Sequence, residues 1–191
     1  MTAAEVTAEL ERFEHLCRAR GALNVERMRP GIAPERIRSL EADYSVRLPD
    51  DAKAVWLWHD GATAPLGPRT VRFWGASYYF LPLEESLSDA RMQLDARNAS
   101  DVFRRPGSSW VTLGHNSVST VIDITEPNGS DSPVLVSDAT APVEDYPVVG
   151  LVERIRLWNA AIENDLWYLD GARQWCRRSD RGLSWPERVL V

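Results

Sequence analysis

The chain has 191 residues, of which 44% are hydrophobic and 26% are charged, a composition that is ordinary for one globular domain of moderate size. Its 22 Lys and Arg against 28 Asp and Glu give a formal net charge of −6, which disfavours nonspecific attraction to nucleic acid or anionic lipid. No apolar stretch approaches the roughly 18 residues of a membrane-spanning helix, and the first residues lack the pattern of a signal peptide. We therefore expect a cytoplasmic protein that binds neither nucleic acid nor a membrane.

A first helix is predicted to run from Thr2 to about Arg20. Thr2 and Glu5 have the spacing of a capping box, and apolar residues recur on one face of the helix. The apolar residues are Val6, Leu10, Phe13 and Cys17. A linker-like stretch follows and closes with Arg29-Pro30-Gly31, so residues 1–29 are predicted to form an N-terminal helical extension.

Two short helices are predicted next, over Pro34–Tyr44 and Pro49–Gly61. In the second, Pro49 presets the backbone of the first turn, and Asp50 and Asp51 place negative charge at the positive end of the helix dipole. Gly61 is expected to end this helix in a left-handed conformation. The face formed by Ala52, Val55 and Trp56 is apolar and is predicted to end at His59.

The rest of the chain alternates strand and helix patterns. β-Branched and aromatic residues predict an antiparallel hairpin from Thr70–Trp74 and Tyr78–Leu83, and a helix begins near Pro82 with Glu84 and Glu85 in its first turn. Further predicted elements are strands at Trp110–Leu113, Ser119–Ile124 and Pro133–Ser137, a turn at Asn128-Gly129, and a helix over Leu151–Asp165. This order predicts an α+β fold.

Several of these segments resemble the SUKH superfamily, which includes bacterial immunity proteins and a yeast regulator of cell-wall synthesis. The matching segments are Pro34–Tyr44, Leu48–Gly61, Tyr79–Ser86, Trp110–Gly114 and Thr120–Ile124. The resemblance implies a SUKH-like α+β domain over residues 30–166, with a mostly antiparallel sheet and helices packed against it. The family often carries small polar residues and an acid between the last two strands, where this chain has His115–Ser119, and this departure weakens a ligand role for that loop.

The residues that could carry catalysis or bind a metal form no recognisable constellation. His15 and Cys17 are two residues apart on a helix and therefore point to different faces, and His59 and Asp60 are adjacent at a helix end. Cys17 and Cys176 are the only cysteines and lie far apart in sequence, so a disulfide framework is not expected. We predict no catalytic residue, no metal and no cofactor, and keep a hydrolase that uses His59, Asp60 and His115 as the least favoured alternative.

Aromatic and basic residues are the remaining candidates for partner binding. Trp74, Tyr78 and Tyr79 flank the turn of the predicted hairpin, where at least one side chain of an alternating pair points away from the core. They are candidate contacts, and simple packing is the alternative interpretation. Residues 167–191 form a Trp/Arg-rich C-terminal tail, predicted to pack on the domain, in which Trp175 and Arg177 are candidate contacts. Core packing by the tryptophans, with solvated arginines, is the alternative interpretation of the tail.

These observations favour a non-enzymatic binding protein. The resemblance implies an immunity protein that neutralises a cognate toxin by stoichiometric protein binding, and the acidic charge would suit a basic toxin. The alternative is a regulatory or scaffold module that binds an endogenous protein partner. The sequence predicts neither the identity of the partner nor the oligomeric state.

Overall fold

The structure is a computed structural model that describes residues 2–63, 79–98, 110–115, 118–125, 131–138, 148–171, 173 and 175–178. The helices in these ranges are α1 (Ala3–Arg20), α2 (Pro34–Asp43), α3 (Asp50–Trp58), α4 (Leu83–Asn98) and α5 (Leu151–Glu163), with a short 3-10 helix at Val25–Arg27. The strands are β1 (Tyr79–Phe80), β2 (Trp110–His115), β3 (Val118–Asp123), β4 (Pro133–Asp138), β5 (Val149–Gly150), β6 (Trp167–Leu169) and β7 (Trp175–Arg177). The α+β class predicted from the sequence is confirmed.

The main sheet has five strands in the order β1-β2-β3-β4-β5, and each pair of neighbours is antiparallel. Ile122 in β3 is paired with Val111 on one side and with Val134 on the other, and all three side chains are buried. β6 and β7 form a separate antiparallel pair. The predicted strand at Thr70–Trp74 and the turn at Asn128-Gly129 lie outside the described residues, and β1 pairs with β2.

Helix α1 is part of the hydrophobic core. Its capping box forms as predicted, because the Thr2 side chain accepts a hydrogen bond from the Glu5 backbone and the Glu5 carboxylate accepts one from the Thr2 backbone. The predicted apolar face is buried within the same cluster that holds the core side chains of α3, α5 and the main sheet. The α1 helix packs against α3 and α5.

The start of α3 is fixed to the start of β4 by a buried carboxylate. The Asp51 side chain is 4% exposed, and its two oxygens accept hydrogen bonds from the Ser132 backbone N–H at 2.6 Å and the Ser132 hydroxyl at 2.8 Å. Asp51 therefore joins two elements 81 residues apart, in addition to its predicted favourable position at the helix N-terminus.

The end of α3 differs from the prediction. The helix stops at Trp58, and His59 is already extended, with φ −147° and ψ 135°. Gly61 does adopt a positive φ of 74°, but two residues beyond His59. A Cβ atom at Gly61 would lie 2.3 Å from the Pro82 nitrogen, so this glycine permits the close approach of the chain before α4.

The described part of the C-terminal tail is also packed on the core. Trp167 in β6 and Trp175 in β7 are 6% and 7% exposed and belong to the main hydrophobic cluster. The predicted division into residues 1–29, 30–166 and 167–191 stays a prediction about domains, and described residues from all three parts share one core.

Candidate binding cleft

Three segments, before α2, after α3 and before α4, are held together by hydrogen bonds around His59 and Asp60. The Nδ1 atom of His59 lies 2.6 Å from the Arg29 carbonyl oxygen, to which it donates, and Nε2 lies 3.4 Å from Oε2 of Glu14. Both ring nitrogens of His59 are thus engaged within the chain. The backbone N–H of Asp60 donates to the Pro30 carbonyl, which turns the chain out of α3.

Glu14 is the acceptor at which α1 meets the end of α3. Its Oε2 atom also accepts a hydrogen bond of 3.1 Å from Trp58 Nε1, and its Oε1 atom accepts from Arg18. Burial opposes the charged carboxylate, but hydrogen bonds from Arg18 and His59, the charge of Arg18 and the charge of the His59 ring when it is protonated outweigh burial, so the pKa of Glu14 is lowered. The carboxylate is therefore a charged structural link between the two helices.

Asp60 begins α4. Its Oδ1 atom accepts a hydrogen bond of 2.9 Å from the Leu83 backbone N–H, one of the N–H groups that have no partner inside the helix. The predicted acids Glu84 and Glu85 occupy the first turn and are exposed. The N-terminus of α4 thus already has one carboxylate bound to it and two more nearby.

A cleft of about 550 Å³ lies between α2 and α4, and we call it the α2–α4 cleft. Its lining residues are Arg29, Ile32, Arg36, Leu40, Tyr44, Asp60, Pro82, Glu84, Glu85 and Ser88. Ile32 and Tyr44 are half-buried and supply its accessible apolar surface, whereas Leu40 and Pro82 are buried. The cleft therefore combines an apolar surface with a charged rim, and its volume lies in the range of roughly 300 to 1,000 Å³ typical of ligand sites.

An ion pair crosses the rim of the α2–α4 cleft. The Nη2 atom of Arg36 on α2 lies 2.7 Å from Oε2 of Glu84 on α4, and both side chains are substantially exposed. An exposed pair of this kind contributes only about 0 to 1 kcal/mol to stability. It can therefore reorganise at small cost when another charged group approaches.

The α2–α4 cleft has no complete signature in the sequence. Arg36, Leu40 and Tyr44 have the i, i+4, i+8 spacing that places them on one face of α2, but nothing local shows that this face is opposite α4. The sequence predicts Glu84 and Glu85 only as acids in the first turn of a helix. The sequence thus indicates one face of α2, but it does not indicate that this face lies opposite the start of α4.

The predicted partner contacts are not brought together in the described part of the chain. Trp74 and Tyr78 lie outside it, Tyr79 is in β1 at the edge of the main sheet, and Trp175 and Arg177 are in β7 of the separate pair. Trp175 is 7% exposed, so it offers a partner little surface. A binding role for all five residues stays a prediction.

The remaining candidates for chemistry are distributed over the fold. His15 is exposed and Cys17 is buried, which confirms that they occupy different faces of α1, and His115 ends β2. Burial raises the pKa of the Cys17 thiol to about 12, so it carries little thiolate at neutral pH, and both cysteines are free. No group of three or more His, Cys, Asp or Glu residues in the described ranges could hold a metal ion.

No protein-family model matches the chain, and no curated protein matches it. None of the described helices is long and apolar enough to cross a bilayer. Membership of the SUKH superfamily therefore rests on the segments quoted above and is a proposal.

Proposed function

We propose that the chain is a non-enzymatic binding protein, and specifically an immunity protein that neutralises a cognate toxin by stoichiometric protein binding. The observation that carries the proposal is the α2–α4 cleft, which presents apolar and charged groups together at the surface. The chain segments around it are fixed by the hydrogen bonds of His59 and Asp60. A preformed surface loses less conformational entropy on binding than one that must order first.

The same hydrogen bonds count against the hydrolase alternative. A general base needs a nitrogen or oxygen within reach of the proton that it removes. Both nitrogens of His59 face acceptors inside the chain, and one oxygen of Asp60 is bound to the start of α4. These side chains stabilise the local fold, and this favours the binding function over the hydrolase alternative.

The net charge supports a basic partner. A formal charge of −6 on a chain of this size attracts a positively charged protein over a distance of about one Debye length, roughly 8 Å at physiological salt, and accelerates association. Toxins that act on nucleic acid carry basic surfaces, because they must bind phosphate groups. A toxin of this class fits the charge of the chain.

The proposal is tested by co-expressing the chain with the product of a toxin-like gene adjacent to its own. We expect protection of the host, a co-purifying complex, and toxin activity that falls linearly until the two proteins are equimolar. Protection at far less than equimolar amounts would instead indicate an enzyme. A co-purifying endogenous protein without any protection would support the regulatory or scaffold alternative.

A further inference from the structure

We infer that the α2–α4 cleft receives an arginine or lysine side chain from the partner protein. This inference rests on the proposed protein-binding function and adds the chemistry of the group that is recognised. It depends on three features of the cleft: its apolar lining, the balance of its charges and the occupied N-terminus of α4.

The apolar lining fits the stem of a long basic side chain. Ile32 and Tyr44 are half-buried and supply the accessible apolar surface of the cleft, whereas Leu40 and Pro82 line it but are buried and expose little. Lys and Arg bury three or four methylene groups along such surfaces while their charged heads remain at a polar rim. A short acidic side chain would leave this lining uncovered.

The charges of the rim are not balanced. Three carboxylates line the cleft, those of Asp60, Glu84 and Glu85, against the two guanidinium groups of Arg29 and Arg36. Arg36 is bound to Glu84, and within the described ranges neither Glu85 nor Arg29 has an ion pair, so the excess over the lining residues is one negative charge. One additional cation would balance the charges of these five side chains. The net charge of −6 on the whole chain also favours the approach of a cation.

An anionic group is disfavoured at the same place. The N-terminus of a helix attracts anions, but at α4 the Asp60 carboxylate already accepts a hydrogen bond from the Leu83 N–H. A further anion would meet three carboxylates against two guanidinium groups, at a helix end where one N–H is already engaged. The cleft therefore discriminates by charge in favour of a cation.

The inference is tested on the full-length ¹⁵N-labelled chain with the peptide Ac-Leu-Arg-Leu-NH₂ as the probe. Two control peptides replace its arginine with citrulline, which has the same shape without the charge, or with glutamate. We expect the arginine peptide to shift the amide resonances of Arg36, Tyr44, Glu85 and Ser88 in a saturable manner. The citrulline and glutamate peptides should bind roughly fivefold more weakly or not at all, as expected for the loss of one ion pair.

A matched pair of variants locates the effect. Glu85→Lys reverses a charge on the cleft and should weaken binding of the arginine peptide by about fivefold or more. Glu11→Lys makes the same change on the exposed side of α1, outside the cleft, and should leave binding within about twofold. Equal binding of the three peptides, or equal effects of the two variants, would overturn the inference.

The toxin experiment separates this inference from the proposed function. If the peptides show no charge selectivity but the chain still neutralises a toxin, the partner binds elsewhere and only the assignment of the cleft is wrong. If the arginine peptide binds selectively and no toxin is neutralised, the cleft recognises a basic group and the immunity function is wrong.

Discussion

At the scale of single residues, Arg154 carries a charged side chain that is buried and incompletely hydrogen-bonded. It lies in the first turn of α5 with 4% of its surface exposed, and its Nε and Nη1 atoms have no hydrogen-bond partner among the described residues. The guanidinium carbon is 5.7 Å from the centre of the Trp158 ring, a cation–π contact. Burial lowers the pKa of Arg154 to about 10, which corresponds to a cost of about 3 kcal/mol for the charged form.

We therefore predict that Arg154→Met increases the free energy of unfolding at pH 7, by about 1 to 4 kcal/mol. Below a pH of about 10 the folded protein carries the full cost of the buried charge, and methionine removes that cost while keeping most of the volume. Urea unfolding of the two proteins measures the difference.

A second arginine on α5 provides the control. Arg156 is 41% exposed, and its Nε atom donates a 3.1 Å hydrogen bond to Oε1 of Glu9 on α1. Arg156→Met should lower stability by about 1 kcal/mol or leave it unchanged. If Arg154→Met is the more destabilising of the two substitutions, the buried guanidinium stabilises the fold and the prediction is wrong.

At the scale of the elements, helix starts were predictable and the end of α3 was not. The capping box at Thr2 and the acids after Pro49 act within one turn, so the sequence contains the whole signal. The end of α3 depends on His59 and Asp60 bonding to a segment about 30 residues earlier. The α2–α4 cleft could not be predicted for the same reason. Its lining residues come from separate segments that only the folded chain brings together.

The contact between α1 and α3 should be sensitive to acid. The pKa of Glu14 is lowered in the folded chain, so in acid the unfolded chain binds more protons at this group, and its contribution to stability is lost as the pH falls through the lowered pKa. Glu14→Gln should therefore cost about 1 kcal/mol at pH 7, and this cost should shrink as the pH is lowered and the carboxylate of the parent chain becomes protonated as well.

Urea unfolding at a series of pH values from 7 into the acid range measures this loss, and Glu11→Gln is the control. Glu11 is exposed on the same helix, so its substitution should change stability by only a small amount across the series. A cost of Glu14→Gln that stays constant across the whole series would show that the carboxylate does not hold the two helices together.

At the scale of the whole molecule, the burial pattern joins the predicted N-terminal extension to the rest of the fold. The amphipathic pattern of α1 predicted that one face would be buried, but a periodicity does not reveal what covers it. In the structure that face lies against α3 and α5, and Asn159 of α5 donates hydrogen bonds of 3.0 Å to the backbone carbonyl and to the carboxylate of Glu9. The polar and apolar contacts of α1 thus both connect it to the central helices.

Removal of residues 1–20 should consequently abolish cooperative folding. Val6, Leu10, Phe13 and Cys17 are each at most 3% exposed, and burial of each large apolar side chain contributes about 1.5 to 3 kcal/mol. Their combined loss is comparable to the 5 to 15 kcal/mol that stabilises a typical domain. Calorimetry and ¹H–¹⁵N spectra of the chain 21–191 should show no cooperative transition and poorly dispersed amide resonances.

Two neighbouring substitutions separate lost packing from a general effect of altering α1. Leu10→Ala should destabilise the full chain by about 2 to 5 kcal/mol, because Leu10 is fully buried, whereas Glu11→Ala should change stability by at most about 0.5 kcal/mol. A well-dispersed spectrum and a cooperative transition for the chain 21–191 would show instead that α1 is an extension of a domain that folds without it. The remaining residues would then have to cover the faces of α3 and α5 that α1 occupies in the structure.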